Sequence, residues 1–302
     1  MKVVVTGAFG YSGREIASRL LIAGHEVVTL TNTVPERDPF NGAVSAYPLN
    51  FCELSQLESV MSGCDVFVNT YWVRFNHRKF THRQAVENTS LLFQTAKSAG
   101  IKRIIHTSIA NADEGSPFEY YRCKAEMERE LRETGIPYTI LRPTVIFGPN
   151  DILINNIAWT LRRFPVVGYF GNGQYRIRPI HVADFADLVC ESVSAADSSI
   201  INAVGPEDFT YRDLLKNTAR IMGVRRLVVP VPVWCGYAVA SAVGWWHKDV
   251  FLTRSEVGGL MANLLTTEGP ATGHIHLTEW LRDNLALVGR RYASELARRR
   301  GR

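Results

Sequence analysis

A chain of 302 residues with 46% apolar and 21% charged side chains is a globular composition, long enough for one large α/β domain and a smaller ligand-covering region. Its five cysteines (Cys52, Cys64, Cys123, Cys190, Cys235) are odd in number and hold no CxxC pair, which argues against a disulfide framework or zinc site and for reduced thiols in a cytoplasmic protein. The net charge of +5 is concentrated between Arg282 and Arg302, where seven arginines face only Asp283 and Glu295, so the remainder balances and nucleic-acid binding is not expected.

The first apolar run, residues 3–5, predicts a strand that starts at Lys2 and leaves no room for a signal peptide before it. Thr6-Gly7-Ala8-Phe9-Gly10-Tyr11-Ser12-Gly13 follows at once, with a G-x-x-G-x-x-G spacing. Glycines at a strand–helix junction let backbone N–H groups approach a pyrophosphate without Cβ interference. The same spacing also suits a plain tight turn. Ile16, Leu20 and Leu21 give the next helix an apolar face, and Gly24 closes it.

Strands are expected at 26–31, 43–48, 66–69, 104–107 and 138–141. Between them, Leu54, Leu57, Val60 and Met61 mark a short helix, and Ala85, Leu92, Phe93 and Ala96 a longer one ending at Gly100. Ser116-Pro117-Phe118-Glu119 predicts the start of a third, with Ser116 as N-cap and the glutamate three residues on. This alternation predicts an α/β fold, a doubly wound parallel sheet with a smaller, mostly helical C-terminal region. Residues 1–150 read as the nucleotide-binding domain and 151–302 as the substrate region, with 179–205 returning to the core. Pro165, Gly168, Gly171 and Gly173 predict a loop.

Residues 227–246 carry no charge and approach bilayer length, but Pro230 and Pro232 interrupt them. A strand and then a packed helix is the preferred reading. A membrane-surface helix with Trp234, Trp245 and Trp246 at headgroup level is the alternative. The arginine tail reads as a solvated helix end, or as a group seeking acidic lipid or protein.

Tyr120 and Lys124 sit at i and i+4 on the third helix. A tyrosine near its free pKa of about 10 is a poor base, and a nearby ammonium favours its phenolate. Ser108 ends the fifth strand, where open α/β sheets place ligands, and would hold a carbonyl or alcohol oxygen beside the Tyr120 hydroxyl. NAD recognition calls for an acid at the end of the second strand, but Leu30-Thr31-Asn32 has none. Thr31 and Asn32, with Arg37 in loop reach, better suit the 2′-phosphate of NADP. The aromatic and basic loop 71–83 would overhang the nicotinamide end and meet an anionic or planar substrate. Alternatively, Trp72, Phe75 and Phe80 pack while the cations face water. His77 and His82 lack metal spacing, and no metal site is expected; His181 and Asp184 are expected to cap and brace a helix.

The glycine turn, Ser108 and Tyr120-x-x-x-Lys124 together resemble the short-chain dehydrogenase/reductase superfamily, in its extended or atypical form. Leu141-Arg142-Pro143-Thr144-Val145-Ile146-Phe147-Gly148-Pro149 resembles that group's R-P-x-x-x-x-G-P stretch. Gly171-Asn172-Gly173 through Pro179-Ile180-His181-Val182-Ala183-Asp184 resembles its G-x-G … I-H-V-x-D segment. The likeness covers roughly residues 1–215 and is nearest to a branch related to the NAD(P)H-binding accessory subunit of respiratory complex I. It implies a Rossmann-type fold and hydride transfer between a nicotinamide and a carbonyl or alcohol carbon. Tyr120 would be the general acid/base, Ser108 the holder of the substrate oxygen, and Asn88 a support for the proton path. Lys124 would lower the tyrosine pKa and bond the nicotinamide ribose.

Cofactor contacts implied by the resemblance are Gly7, Phe9, Gly10, Tyr11, Ser12 and Gly13 at the turn, and Thr31, Asn32 and Arg37 at the adenosine end. Asn50 and Phe51 stand where the family often has an aspartate, and the Asn50 amide can still reach adenine. Thr70, Thr107, Pro143, Thr144 and Val145 complete the set. Two alternatives remain open. One is a nucleotide-sugar epimerase, with Arg176 and Arg178 gripping a diphosphate, although the Thr-Asp-Glu set of sugar dehydratases is missing after Ser108. The other is a non-catalytic NADP(H)-binding accessory or redox-sensing protein, docked on a membrane or larger assembly through its C-terminal region.

Overall fold

The computed structural model describes residues 1–77, 80–236, 249 and 253–300. Two compact units divide the chain: Met1–Pro143 with Phe185–Ala203, and Thr144–Asp184 with Val204–Gly301.

The chain begins with β1 (Lys2–Thr6), α1 (Tyr11–Ile22), β2 (Glu26–Thr31), β3 (Val44–Pro48), α2 (Leu54–Met61) and β4 (Val66–Asn69). It continues through α3 (His82–Ser98), β5 (Arg103–Thr107), α4 (Glu119–Glu133) and β6 (Tyr138–Pro143). Then come β7 (Ile146–Phe147), α5 (Leu153–Arg163), β8 (Val166–Phe170), β9 (Arg176–Ile177), β10 (Ile180–His181) and α6 (Val182–Ser192). The last elements are β11 (Ser199–Ala203), β12 (Phe209–Thr210), α7 (Tyr211–Ile221), β13 (Leu227–Val231), α8 (Arg254–Met261), α9 (Leu277–Asp283) and α10 (Glu295–Arg300).

In the first unit seven strands form one sheet in the order β11-β6-β5-β4-β1-β2-β3, and every neighbouring pair is parallel. Strands covered on both faces read as unbroken apolar runs, which is why β1 and β4 are buried along nearly their whole length. Leu57, Met61, Phe67, Leu92 and Phe93 fill one layer of the core. The order reverses beside β1, and β1 and β4 carry their C-terminal ends to the same edge, where such sheets bind nucleotides.

Two local expectations are corrected. Ser116 does not cap α4: the N-cap is Phe118, with no side-chain cap bond. The Ser116 hydroxyl instead accepts the Phe118 N–H at 3.3 Å, closing a turn that delays the helix to Glu119. The segment read as a loop around Gly168 is the strand β8, parallel to β13. Gly168 is tolerated there because a Cβ would come 2.7 Å from Val231 Cγ1.

The second unit holds three two-stranded sheets, β10-β7, β12-β9 and β13-β8, around a core that includes Phe147, Leu161, Ile177, Leu214 and Leu277. His181 Nδ1 accepts the Ala183 N–H at 3.2 Å, and Asp184 Oδ2 accepts the N–H groups of His274 and Ile275, both at 2.9 Å. The strand expected at the start of 227–246 is β13; residues 237–246, including Trp245 and Trp246, lie outside the described residues. Among the described residues, no helix is long and apolar enough to cross a membrane.

Candidate dinucleotide and proton-transfer site

The glycine turn has the backbone its sequence suggests. Gly7 takes φ +69°, and the Gly10 N–H closes onto its carbonyl at 2.7 Å. Gly13 allows α1 to press on the turn, since a Cβ there would stand 2.1 Å from Gly7 O. Gly10 is the N-cap of α1, and no side chain caps that end. The N–H groups of Tyr11, Ser12 and Gly13 therefore form a helix terminus suited to an anion, and these residues fit a dinucleotide pyrophosphate. Phe9 rests on Phe40 at 5.7 Å.

Behind the turn lies a polar network that sequence patterning missed. Thr6 Oγ1 donates to Asn69 Oδ1 at 3.1 Å and accepts the Thr70 N–H at 2.8 Å, while Thr70 Oγ1 donates to Thr6 O at 2.5 Å. The Asn69 amide meets His106 Nδ1 at 3.2 Å. Full burial, with the Lys124 charge adding to it, holds His106 well below the ordinary histidine pKa and keeps the ring neutral. The only clue in the sequence was a polar residue inside each of two apolar strands.

At the adenosine end, Asn32 and Arg37 are exposed. Thr31 Oγ1 donates to Thr33 O at 3.1 Å. Asn50 Oδ1 accepts the Cys52 N–H at 3.0 Å. Phe51 lies against Tyr71 at 5.4 Å.

Lys124 is 2% exposed. Its ammonium donates to Thr107 O at 2.8 Å and lies 4.3 Å from the centre of the Trp72 ring. Desolvation pulls the pKa of this lysine down to about 7, against the opposing pull of Glu128. Tyr120 meets Trp72 edge-on at 5.4 Å and His82 edge-on at 5.5 Å, and Trp72 stacks on His82. Trp72 thus touches both members of the Tyr-x-x-x-Lys pair. Thr107 Oγ1 is buried without a hydrogen-bond partner.

Ser108 is differently engaged. It ends up beyond β5 as expected, but its buried hydroxyl donates to Glu128 Oε1 at 2.5 Å. Glu128 is fully buried and also takes Arg142 Nε at 2.8 Å, Arg142 Nη2 at 2.5 Å and Arg132 Nη2 at 3.1 Å. The arginine of the R-P stretch therefore neutralises a core carboxylate. Glu128 lies one helical turn beyond Lys124, a spacing that could have flagged it. Asn88 Nδ2 donates to Tyr71 Oη at 2.8 Å.

Pro143 accepts the Ala110 N–H on its carbonyl at 2.8 Å in the first unit. Thr144 and Val145 belong to the second: Thr144 Oγ1 donates to Arg178 O, and Val145 O accepts the Ile180 N–H at 2.8 Å. Arg176 pairs with Asp208 at 2.8 Å, and the Arg178 guanidinium donates to the carbonyls of Gly205, Thr267 and Gly269. Both arginines considered for a diphosphate are thereby engaged within the unit. In the loop after β4, Val73 and Phe75 are buried, His77 stacks on Phe80 at 5.0 Å, and Arg83 makes two 3.0 Å bonds to Glu126. Arg78 and Lys79 lie outside the described residues.

Residues 7–152 match a family described as NAD(P)H-binding. Two relatives in sequence are similar over most of this chain. The mitochondrial NADH dehydrogenase (ubiquinone) 1 alpha subcomplex subunit 9 of Dictyostelium discoideum is 26% identical over 225 residues, covering 70% of this chain and 61% of that protein. An uncharacterized Mycobacterium tuberculosis protein is 26% identical over 224 residues, covering 74% of this chain but only 24% of that protein. The chain therefore spans less than two thirds of the length of these relatives.

Two solved structures share the fold. The Citrobacter sp. triphenylmethane reductase complexed with NADP(H) superposes with a TM-score of 0.78 at 16% identity, covering 94% of this chain and 99% of that one. A Staphylococcus aureus nucleoside-diphosphate-sugar epimerase gives 0.75 at 18% identity, covering 93% and 100%.

Proposed function

We propose that this protein is an NADP(H)-dependent oxidoreductase that acts on a carbonyl or alcohol carbon, with Tyr120 exchanging the proton. The observation that carries the reading is the buried Lys124 ammonium, one helical turn from Tyr120 and under the Trp72 ring that Tyr120 also touches. A bound nicotinamide supplies the hydride; the chain supplies position and the proton. The cationic form of Lys124 favours the Tyr120 phenolate, and so eases loss of the tyrosine proton to a substrate oxygen. Asn88 orients Tyr71 near this helix pair. With its own proton directed at Glu128, Ser108 has only lone pairs to offer, so it would accept from a substrate hydroxyl. The absence of an acid in Leu30-Thr31-Asn32 at the end of β2, with Asn32 and Arg37 exposed, supports NADP over NAD.

Titration with NADPH and with NADH, read by tryptophan quenching, tests the cofactor: tighter NADPH binding is expected, and binding of neither overturns the reading. Tyr120→Phe should then lower kcat by about 10² to 10⁴ with unchanged NADPH affinity.

The inward Ser108 hydroxyl favours a second reading, in which the dinucleotide is held without turnover in a larger assembly. The complex I subunits among the relatives support it as well. Tight NADPH binding, with no hydride transfer across a panel of aldehydes, ketones and quinones, would select it.

A further inference from the structure

Three Arg-Arg pairs far apart in sequence, Arg162-Arg163, Arg225-Arg226 and Arg290-Arg291, converge in the second unit. Their convergence is recorded by hydrogen bonds. Arg226 donates from Nε to Leu161 O and from Nη2 to Arg162 O, capping the C-terminal carbonyls of α5. Arg162 reaches Leu285 O and Val288 O, and Arg163 Nη2 reaches Arg290 O at 3.3 Å. Arg162, Arg226 and Arg290 are tied to main-chain oxygens nearby, Arg163 also lies over the Trp159 ring at 4.8 Å, and Arg163, Arg225, Arg290 and Arg291 are exposed.

Among the described residues, no carboxylate forms an ion pair with these six arginines. Residues 161–167, 224–231 and 284–294 contain six arginines and no aspartate or glutamate. The nearest acids in sequence are Asp283 and Glu295, and Asp249 is engaged with Tyr292 Oη and the N–H groups of Glu295 and Leu296. Burial first, and then the charges of Arg290 and Arg163, pull the Arg162 pKa down, as expected of cations crowded together.

Large apolar side chains stand exposed among these cations. Val166 and Leu227 are paired across β8 and β13 and are 50% and 61% exposed. Phe164, next to Arg163, is 40% exposed, and Leu287, three residues before Arg290, is 74% exposed. Cations alone would suit any polyanion. Cations interleaved with protruding aliphatic and aromatic groups match a surface that is anionic at headgroup level and apolar just beneath.

We propose that this face, built from the three arginine pairs with Phe164, Val166, Leu227 and Leu287, docks the protein on the anionic surface of a lipid bilayer. Arginines hold phosphate oxygens through their planar forks, and the apolar side chains enter the acyl boundary.

Co-sedimentation of the full chain with vesicles tests this. The protein should pellet with phosphatidylcholine–phosphatidylglycerol vesicles, stay in solution with pure phosphatidylcholine, and be released by high salt. The triple variant Arg163→Gln, Arg225→Gln, Arg291→Gln removes three exposed guanidiniums, and with them the Arg163 bond to Arg290 O. It should weaken binding about a hundredfold, at about fivefold per arginine, while its circular dichroism stays that of the wild type and the double variant Arg225→Gln, Arg291→Gln keeps the wild-type melting temperature. Leu227→Ser with Leu287→Ser should weaken binding without changing its salt dependence. Equal binding to neutral vesicles, or a triple variant that binds like the wild type, overturns the proposal. So does affinity for RNA or an acidic polypeptide with none for anionic vesicles, or loss of binding from Arg299→Gln with Arg300→Gln when the triple variant retains it.

Discussion

In the first unit a continuous seven-stranded parallel sheet satisfies the backbone, whereas in the second the sheets are only two strands wide. The polar side chains are used accordingly. Where the ladders are complete, buried groups bond one another, Asn69 with His106 and Ser108 with Glu128, and the partly buried Arg142 and exposed Arg132 reach in to the same Glu128 carboxylate. In the second unit arginines serve carbonyls outside the ladders, as Arg103 alone among the described arginines of the sheet does at Tyr138 O and Asp197 O in the first. Arg162, Arg178 and Arg226 direct their guanidiniums at main-chain carbonyls. Buried carbonyls need donors whatever supplies them. Arginine content in the second unit therefore says little about ligands unless an arginine is exposed.

The largest test of that contrast is Glu128→Gln. It leaves the partly buried Arg142 guanidinium facing a neutral amide inside the first unit, and should destabilise the protein by about 3–5 kcal/mol in guanidinium chloride unfolding. A loss below about 1 kcal/mol would mean that water reaches the site and the network is not a closed one.

Arg178→Met asks the same of the second unit. Three carbonyls lose their donor, for an expected cost of about 2–3 kcal/mol, with proteolysis appearing first near Gly205 and Gly269. If NADPH affinity fell with no loss of stability, Arg178 would have to be reassigned from scaffold to ligand.

Gly13→Ala carries the comparison to the turn. Its Cβ would meet Gly7 O at 2.1 Å, a main-chain atom with little freedom, so α1 must shift. A cost of about 1–3 kcal/mol is expected together with weaker NADPH binding. Loss of stability alone would show that the glycine serves packing rather than the dinucleotide.

How far the sequence was legible follows the same division. β1, β2, β4 and β6 could be read because residues buried on both faces of a parallel sheet must be apolar in continuous runs, and the glycines between β1 and α1 are required by φ and by close packing. Tyr120 and Lys124 were legible because a helix fixes i and i+4 on one face. The partner of Ser108 was not: Glu128 is an ordinary surface residue type, and only the fold makes it core. β8 was hidden by Gly168, whose reason for being a glycine is Val231, far along the chain. Short range in sequence was readable; contact across it was not.

The last prediction distinguishes the two buried bases of the first unit by pH. Lys124 titrates near 7 when folded and near its ordinary 10.5 when unfolded, so the unfolded chain binds the extra proton between those values. Stability should therefore rise from pH 7 towards pH 10, by at most about 1.4 kcal/mol per pH unit for this single group. His106 also has a depressed folded pKa, and its window lies lower: stability is lost as pH falls below its ordinary 6.5, where only the unfolded ring gains the proton. Comparing each substitution with the wild type cancels the other titrating groups. Lys124→Met should flatten the difference above pH 7 and leave the acid limb, and His106→Gln should do the reverse. If Lys124→Met left the alkaline slope intact, the ammonium would have to be solvated in the folded chain, and its hold on Tyr120 would weaken with the same charge screening.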